Sequence, residues 1–473
     1  MNKALKRIPT LTIAALRGGG GKTIASLGII RALKNKGLKI ACFKKGPDYI
    51  DAAWLAHAAK DSCYNLDPYF MSENTIQTSF SYHSKNSDIA VIEGNRGLFD
   101  GMDIDGSCST SKISKLLSSG VILVVDCTKS TRTIAALVLG CINFEKDVNI
   151  LGVILNQVAG KRHKKIVTGA IEKYTGLPVF GAIPRLKKDP LPMRHLGVTP
   201  AYEYKEVDTA LENLANLAQE HLNLDQILQV ATKHSAIIDS SISEYELYQE
   251  PKNKFKGIKI GIIKDRAFQF YYPENINVLK FLGAEIIFLD SLNHQNIPSI
   301  DALYIGGGFP ETQAKGLERN KTFRKQLKSL ILKGLPVYAE CGGLMYLGQK
   351  IIWESKSYNM VGALPIDFIM KERPVGHGYS SLIFEKDSPF FKKGEKIKGH
   401  EFHYSKPILK NEDKWRNLFC CKVERGYGFD REHEGFCYKN VFGTYSHCHF
   451  LAQRNWAKRL LEAAQKFKIN SDS

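Results

Sequence analysis

The sequence is short of what a membrane or secreted protein needs. No uncharged apolar run comes near the ~18 residues of a membrane-spanning helix; the best segments, such as Val121 to Val125, are strand-sized. No Cys-x-x-Cys pair is present for zinc. The ten cysteines are scattered, some inside apolar strands (Cys42, Cys127), which is not a disulfide framework. A reducing cytoplasm is the expected location. Acidic residues are in deficit: 48 Asp and Glu against 66 Lys and Arg give a net charge of +18. Such an excess favours anionic partners (phosphates, polycarboxylates, nucleic acid or a membrane surface) without choosing among them. There is no internal repeat or low-complexity tract, and a composition 44% hydrophobic and 24% charged excludes wholesale disorder.

What is present is a regular alternation of strands and helices. The 473 residues suffice for two or three domains at about 150 residues each. Met1 to Leu16 imitates a signal peptide, with Lys3, Lys6 and Arg7 ahead of an apolar run. That run passes straight into a glycine-rich loop, so it reads as a first strand. Leu11–Leu16, Ile40–Phe43, Ile89–Ile92, Val121–Asp126 and Leu151–Leu155 read as strands buried on both faces, with helices over Thr23–Lys36 and Ser130–Phe144. The expectation is an α/β doubly wound parallel sheet. Polar sequence between Asn223 and Gly257 reads as a linker. Ile258–Ile263, Glu285–Leu289, Ala302–Ile305 and Pro336–Glu340 then read as strands of a second α/β domain. The expected boundaries are 1–225, a linker over 226–256, and 257–470.

Two loops carry the chemistry. After the first strand comes Arg17-Gly18-Gly19-Gly20-Gly21-Lys22-Thr23 and then a helix, the context of a P-loop. Backbone N–H groups of Gly18, Gly19, Gly20 and Gly21 would close around phosphate oxygens, Lys22 would reach the β- and γ-phosphates, and Thr23 would ligate Mg²⁺. The strict pattern wants glycine at position 16, where this chain has Leu16. Asp48, Asp51, Glu93 and Asp100 each come shortly after a strand, where side chains point into the ligand crevice of such sheets. Any one alone would be an ordinary loop carboxylate; four together indicate a nucleotide site. Asn156, closing another strand, is expected to read an adenine edge or to cap a helix.

The second loop is Pro336-Val337-Tyr338-Ala339-Glu340-Cys341-Gly342-Gly343, a nucleophile elbow with cysteine in place of serine. The following helix start is expected to lower the thiol pKa, and Gly342 N–H to help hold an oxyanion. The glycine run Gly306-Gly307-Gly308 offers a second N–H, assigned to Gly308. A base is needed, and His447 and His449 lie on one face if their stretch is a strand. His400-Glu401-Phe402-His403 and His447-Cys448-His449 have metal-ligand residue types without zinc spacing.

The ordered motifs Gly46-Pro47-Asp48-Tyr49-Ile50-Asp51, Glu93-Gly94-Asn95-Arg96-Gly97-Leu98-Phe99-Asp100-Gly101 and Glu340-Cys341-Gly342-Gly343-Leu344-Met345-Tyr346-Leu347 closely resemble the cobyrinic acid a,c-diamide synthase family. The likeness runs from about Leu11 to Phe450 and includes Leu191–Val198, Phe268–Asn275 and Gly399–Ser405. It implies a dethiobiotin synthetase-like ATP-binding amidoligase domain followed by a class I glutamine amidotransferase-like domain. It further implies ATP and Mg²⁺, glutamine as nitrogen donor, an anionic tetrapyrrole as substrate, and a homodimer; with no basic-aromatic recognition motif and no terminal amphipathic anchor in the sequence, no nucleic acid or membrane partner is expected. By position it assigns Cys341 and His447 to glutamine hydrolysis, and Asp48, Tyr49, Asp51 and Asp100 to substrate or intermediate. Thr23, Asp48 and Glu93 are assigned to metal. Many class I glutaminases carry glutamate two residues after the histidine; here that position is His449, so the base is expected to lack that orienting carboxylate. Relatives amidate cobyrinic acid, sirohaem or nickel sirohydrochlorin; the resemblance implies conversion of cobyrinate to cobyrinate a,c-diamide, with sirohaem or nickel sirohydrochlorin as the alternative. The Arg17–Thr23 loop also resembles partitioning ATPases, a reading that gives Cys341 no use.

Overall fold

The computed structural model describes residues 4–188, 190–191, 193–194, 197–409 and 415–472. Pro192, His195 and Leu196, part of the stretch 191–198 that carries the family likeness, lie outside the described residues. The chain divides into two units, Met1–Leu247 and Tyr248–Ser473.

The first unit holds strands β1 (Leu5–Ile8), β2 (Thr10–Ala15), β3 (Ile40–Lys45), β4 (Cys63–Leu66), β5 (Ile89–Glu93), β6 (Gly120–Asp126), β7 (Ile150–Val158) and β8 (Val179–Pro184). Its helices include α1 (Lys22–Asn35), α2 (Ile50–Ala59), α3 (Glu73–Ser84), α4 (Thr110–Leu116), α5 (Thr133–Phe144), α6 (Lys161–Thr175), α7 (Val207–His221) and α8 (Leu224–Lys233). Strands β2 to β8 form one seven-stranded sheet in the order β4-β3-β5-β2-β6-β7-β8, with all pairs parallel. Side chains of a strand alternate between faces, and β6 shows the result. Ile122 and Val124 join the core that contains α1, α2, α7 and α8. Val121, Leu123 and Val125 join the core beneath α5 and α6. A strand buried on both sides has no polar face to spare, which is why these segments read as unbroken apolar runs.

Strand β9 (Ala236–Asp239) pairs antiparallel with β1, Leu5 opposite Asp239 and Ile8 opposite Ala236. Thus the polar stretch expected to be a linker carries most of α8, which packs on the first core, and a strand that closes a ribbon with the chain's beginning. Its apolar signal is thin because β9 alternates, with Ala236 and Ile238 buried and Ile237 exposed.

The second unit contains a ten-stranded mixed sheet. Its parallel part is β10 (Lys259–Ile263), β11 (Glu285–Leu289), β12 (Ala302–Ile305), β13 (Val337–Glu340) and β14 (Val441–Thr444), in the order β11-β10-β12-β13-β14. The sheet continues antiparallel from β14 through 433–438, 419–425, 376–384 and 396–403, and ends on the two-residue strand His447–Cys448. The elbow sits where β13 ends, beside the end of β14. No helix among the described residues is long and apolar enough to cross a membrane.

Helix α2 matters to function because its first turn carries Asp51. Trp54, fully buried, anchors it and donates its indole N–H to Thr199 O at 2.9 Å. Trp54→Ala is expected to lower the unfolding free energy of this unit by ~3–5 kcal/mol, read as an earlier urea midpoint. A loss below about 1 kcal/mol would show that α2 is anchored otherwise.

Candidate active site

The P-loop forms between β2 and α1. Gly21 adopts φ 92° at the helix start, a conformation that favours glycine, and a Cβ there would lie 2.0 Å from Asn156 Nδ2. Asn156, at the end of β7, donates to Gly20 O at 3.2 Å; its amide braces the loop, a role neither adenine recognition nor helix capping foresees. Arg17 reaches across to Asp126 at 2.9 Å. Lys22 folds back on the loop and donates to Arg96 O at 2.7 Å, and burial followed by the charge of Lys44 lowers its pKa.

Behind Lys22 lies a buried charge cluster. Lys44, the fifth residue of β3, is 1% exposed in its side chain and sits between Glu93 Oε1 and Asp51 Oδ2, each at 2.7 Å. Burial alone would lower its pKa, but the Asp51 and Glu93 charges outweigh burial and hold the ammonium protonated. Thr23 donates to Glu93 Oε1 at 3.1 Å. Asp48 accepts the Asp51 N–H at 2.8 Å and so ties down the start of α2, with Tyr49 between them. Burial, and then repulsion from Asp51, push its carboxyl up to about 7. Asp100 is exposed and accepts the Gly97 N–H at 2.7 Å, shaping the loop after β5. Glu93, Asp51 and Asp48 are therefore linked in one chain of contacts through Lys44, while Asp100 stands apart in its own turn.

Sequence reasoning missed Lys44. The available signal was a lysine at the end of a strand too apolar to tolerate a lone charge. Among the described residues, no group of three or more His, Cys, Asp or Glu side chains is arranged to hold a metal ion. Glu93 Oε2 is nevertheless a fully buried oxygen with no hydrogen-bond partner, adjacent to Thr23. That donor set fits Mg²⁺, which takes one or two protein carboxylates and leaves its other positions to water and phosphate.

In the second unit Cys341 has φ 46° and ψ −100°, the strained turn of a nucleophile elbow. Its N–H bonds Thr444 O at 2.7 Å, which brings the elbow beside the end of β14 and the segment leading to His447. The glycine loop fits closely against both. A Cβ on Gly307 would lie 2.2 Å from His447 Cε1, and one on Gly342 would lie 3.1 Å from Gly308 N. Gly308 thus packs against the Cα of Gly342, the residue that follows the nucleophile. Burial raises the Cys341 thiol pKa, Glu311 adds to the rise, and the Gly342 N–H only partly offsets them. The lowered thiol pKa expected from the helix start is overturned, because the sulfur is desolvated and the helix is only six residues long. Burial, His400 and His403 bring His447 down to about 3. The resting pair is therefore neutral thiol and neutral imidazole.

His449 does not share the face of His447. The strand ends at Cys448, and His449 turns to Glu274, Nε2 to Oε2 3.4 Å, with both side chains fully buried. Sequence reasoning also passed over Glu340, whose Oε2 lies 3.9 Å from His447 Nδ1.

Two measurements follow from this geometry. Lys44→Ala leaves Glu93 buried without its cation and is expected to cost ~3–5 kcal/mol in denaturation; a cost near zero would mean that water reaches Glu93. Iodoacetamide labelling of Cys341, mapped by peptide mass spectrometry, is expected to be slow at neutral pH and to climb without levelling past about pH 9, where an ordinary thiol is already largely ionised. Rapid labelling at neutral pH would show a preformed thiolate.

Comparison with known proteins bears on both units. Residues 11–198 match the CobQ/CobB/MinD/ParA nucleotide binding domain, and residues 259–455 match the CobB/CobQ-like glutamine amidotransferase domain. The chain is similar to the cobyrinate a,c-diamide synthase of Archaeoglobus fulgidus, 40% identical over 462 residues that cover 98% of each chain. It is 39% identical to that of Magnetococcus marinus, over 95% of this chain and 96% of the relative. With that of Methanosarcina barkeri it shares 37% identity over 98% of each chain. A nucleotide loop and a cysteine elbow at this identity over nearly the full length place the chain in the cobyrinate a,c-diamide synthase family.

Proposed function

We propose that the protein amidates the a and c carboxylates of cobyrinate to give cobyrinate a,c-diamide, driven by ATP and supplied with ammonia from glutamine. The observation that supports this reading is the pairing, in one chain of family length, of a buried Lys44–Asp51–Glu93 cluster at a P-loop with a Cys341 elbow flanked by His447. A carboxylate is a poor electrophile, and its conversion to an acyl phosphate makes it one that ammonia can attack. In the first unit, the Gly18–Gly21 amides and Lys22 receive the polyphosphate, and Asp48, Tyr49, Asp51 and Asp100 face the carboxylate substrate or its intermediate. Thr23 and Glu93, with Asp48 nearby, would hold Mg²⁺, which neutralises phosphate charge when bound. Lys44 offsets one of the two negative charges of Asp51 and Glu93, which lessens their repulsion of an anionic substrate. In the second unit, Cys341 attacks the glutamine side-chain amide carbon, and the Gly308 and Gly342 N–H groups hold the oxyanion. His447 takes the thiol proton and passes it to the departing ammonia; water then hydrolyses the thioester to glutamate. Since thiol and imidazole both rest neutral, proton transfer accompanies attack. The +18 net charge suits a polycarboxylate.

The test is amidation of cobyrinic acid read by mass spectrometry, with sirohaem and nickel sirohydrochlorin in parallel. A diamide of cobyrinic acid, requiring ATP and either glutamine or ammonium chloride, is expected. Cys341→Ala is expected to abolish glutamine use while ammonium chloride still serves. Product from another tetrapyrrole alone would replace the substrate assignment. ATP hydrolysis with no amide formed on any of them would favour a nucleotide-driven switch.

A further inference from the structure

We propose that Glu340, the residue immediately before the nucleophile, is the positioning carboxylate of His447. This inference rests on the reading of Cys341 and His447 as the glutaminase pair. An imidazole that accepts a proton inside a dry site needs a counter-charge and a fixed ring orientation. The position two residues after the histidine, where a carboxylate would do this, is His449, and it faces Glu274 instead. Among the described residues, His400 and His403 lie near His447 and disfavour a charged ring, whereas the Glu340 carboxylate lies 3.9 Å from its Nδ1.

Glu340 is built to serve. It is fully buried at the end of β13. Oε1 accepts from Cys448 N at 2.9 Å and from the Tyr338 hydroxyl at 3.1 Å, and Oε2 accepts from the Tyr304 hydroxyl at 3.0 Å. Tyr304 is held in turn by Asn275, which also bonds Cys448 O at 2.8 Å. Oε2 is the oxygen nearest His447 Nδ1, at 3.9 Å. Such contacts are commonly long in the resting enzyme and tighten with substrate bound. Gly307 packs against the imidazole at Cε1, where only a residue without a side chain fits.

In the step itself, the Cys341 proton moves to His447 Nε2 as the C–S bond forms. When the C–N bond breaks, that proton leaves with ammonia. Glu340 remains a carboxylate throughout and offsets the transient imidazolium. Burial holds its carboxyl up at about 7, so the charge is fully present only above that pH. Glutamine hydrolysis should therefore rise as pH increases through 7.

The experiment uses the full chain with ATP and cobyrinic acid, and compares glutamine with ammonium chloride as nitrogen source. Glu340→Gln is expected to lower the glutamine-dependent kcat by about 10²- to 10⁴-fold. KM for glutamine should change little, the rise near pH 7 should vanish, and the ammonium-driven rate should stay within about twofold of the parent. Tyr304→Phe, which removes one donor from Oε2, is expected to shift the rise to higher pH and serves should Glu340→Gln not fold. The inference is overturned if Glu340→Gln keeps the parent rate and pH profile, or if it loses the ammonium-driven rate equally. Cys341→Ala separates the two readings. If glutamine hydrolysis survives it, the nucleophile assignment fails. If it blocks hydrolysis while Glu340→Gln behaves as the parent, only the role of Glu340 fails.

Discussion

The first unit depends on one ammonium group that water does not reach. Lys44 lies within a parallel sheet covered on both faces, where an unpaired charge would be prohibitively costly, and two carboxylates at 2.7 Å make it tolerable. Those carboxylates come from different places: Glu93 ends β5, next to β3 in the sheet, and Asp51 opens α2. The three charges thereby fix the strand end, the helix start and, through Thr23, the head of α1. The loop that would receive phosphates is seated on an electrostatic lock.

The second unit solves the opposite problem. It buries a carboxylate, Glu340, with no Lys or Arg paired to it among the described residues, and supplies two phenols and a backbone N–H instead. Neutral donors satisfy the oxygens without cancelling the charge, which leaves it available to any positive group that forms nearby. The sulfur and the imidazole meanwhile rest uncharged. A site of this kind does little until a substrate arrives to be attacked, which suits an enzyme whose ammonia would otherwise be wasted.

Much of this was legible in the sequence. The buried parallel strands were, because burial on both faces forces runs such as Val121 to Val125; the P-loop and elbow were, because each needs glycines in a fixed order. Strands β4 and β8, the two edges of the sheet, were not: β4 has four residues, and β8 is broken by Gly181 and ends on Pro184. The β1–β9 ribbon was not, since Leu5 and Ile237 point to solvent and give no sustained pattern. Among site residues, Cys341 and Lys22 announced themselves by local spacing. Lys44 and Glu340 did not, because their meaning lies in partners brought by other strands. His447 and His449 look equivalent on paper and part only because their strand stops at Cys448.

The ribbon that joins Leu5–Ile8 to Ala236–Asp239 bears on how the chain is made. The amino-terminal residues leave the ribosome first, yet their partner strand is more than two hundred residues behind them. Until it emerges, β1 is an open edge able to pair with another chain. The first unit is thus a closed object only once synthesis has passed Asp239. A fragment cut at residue 225 would carry the whole phosphate loop together with a strand that has nothing to pair with.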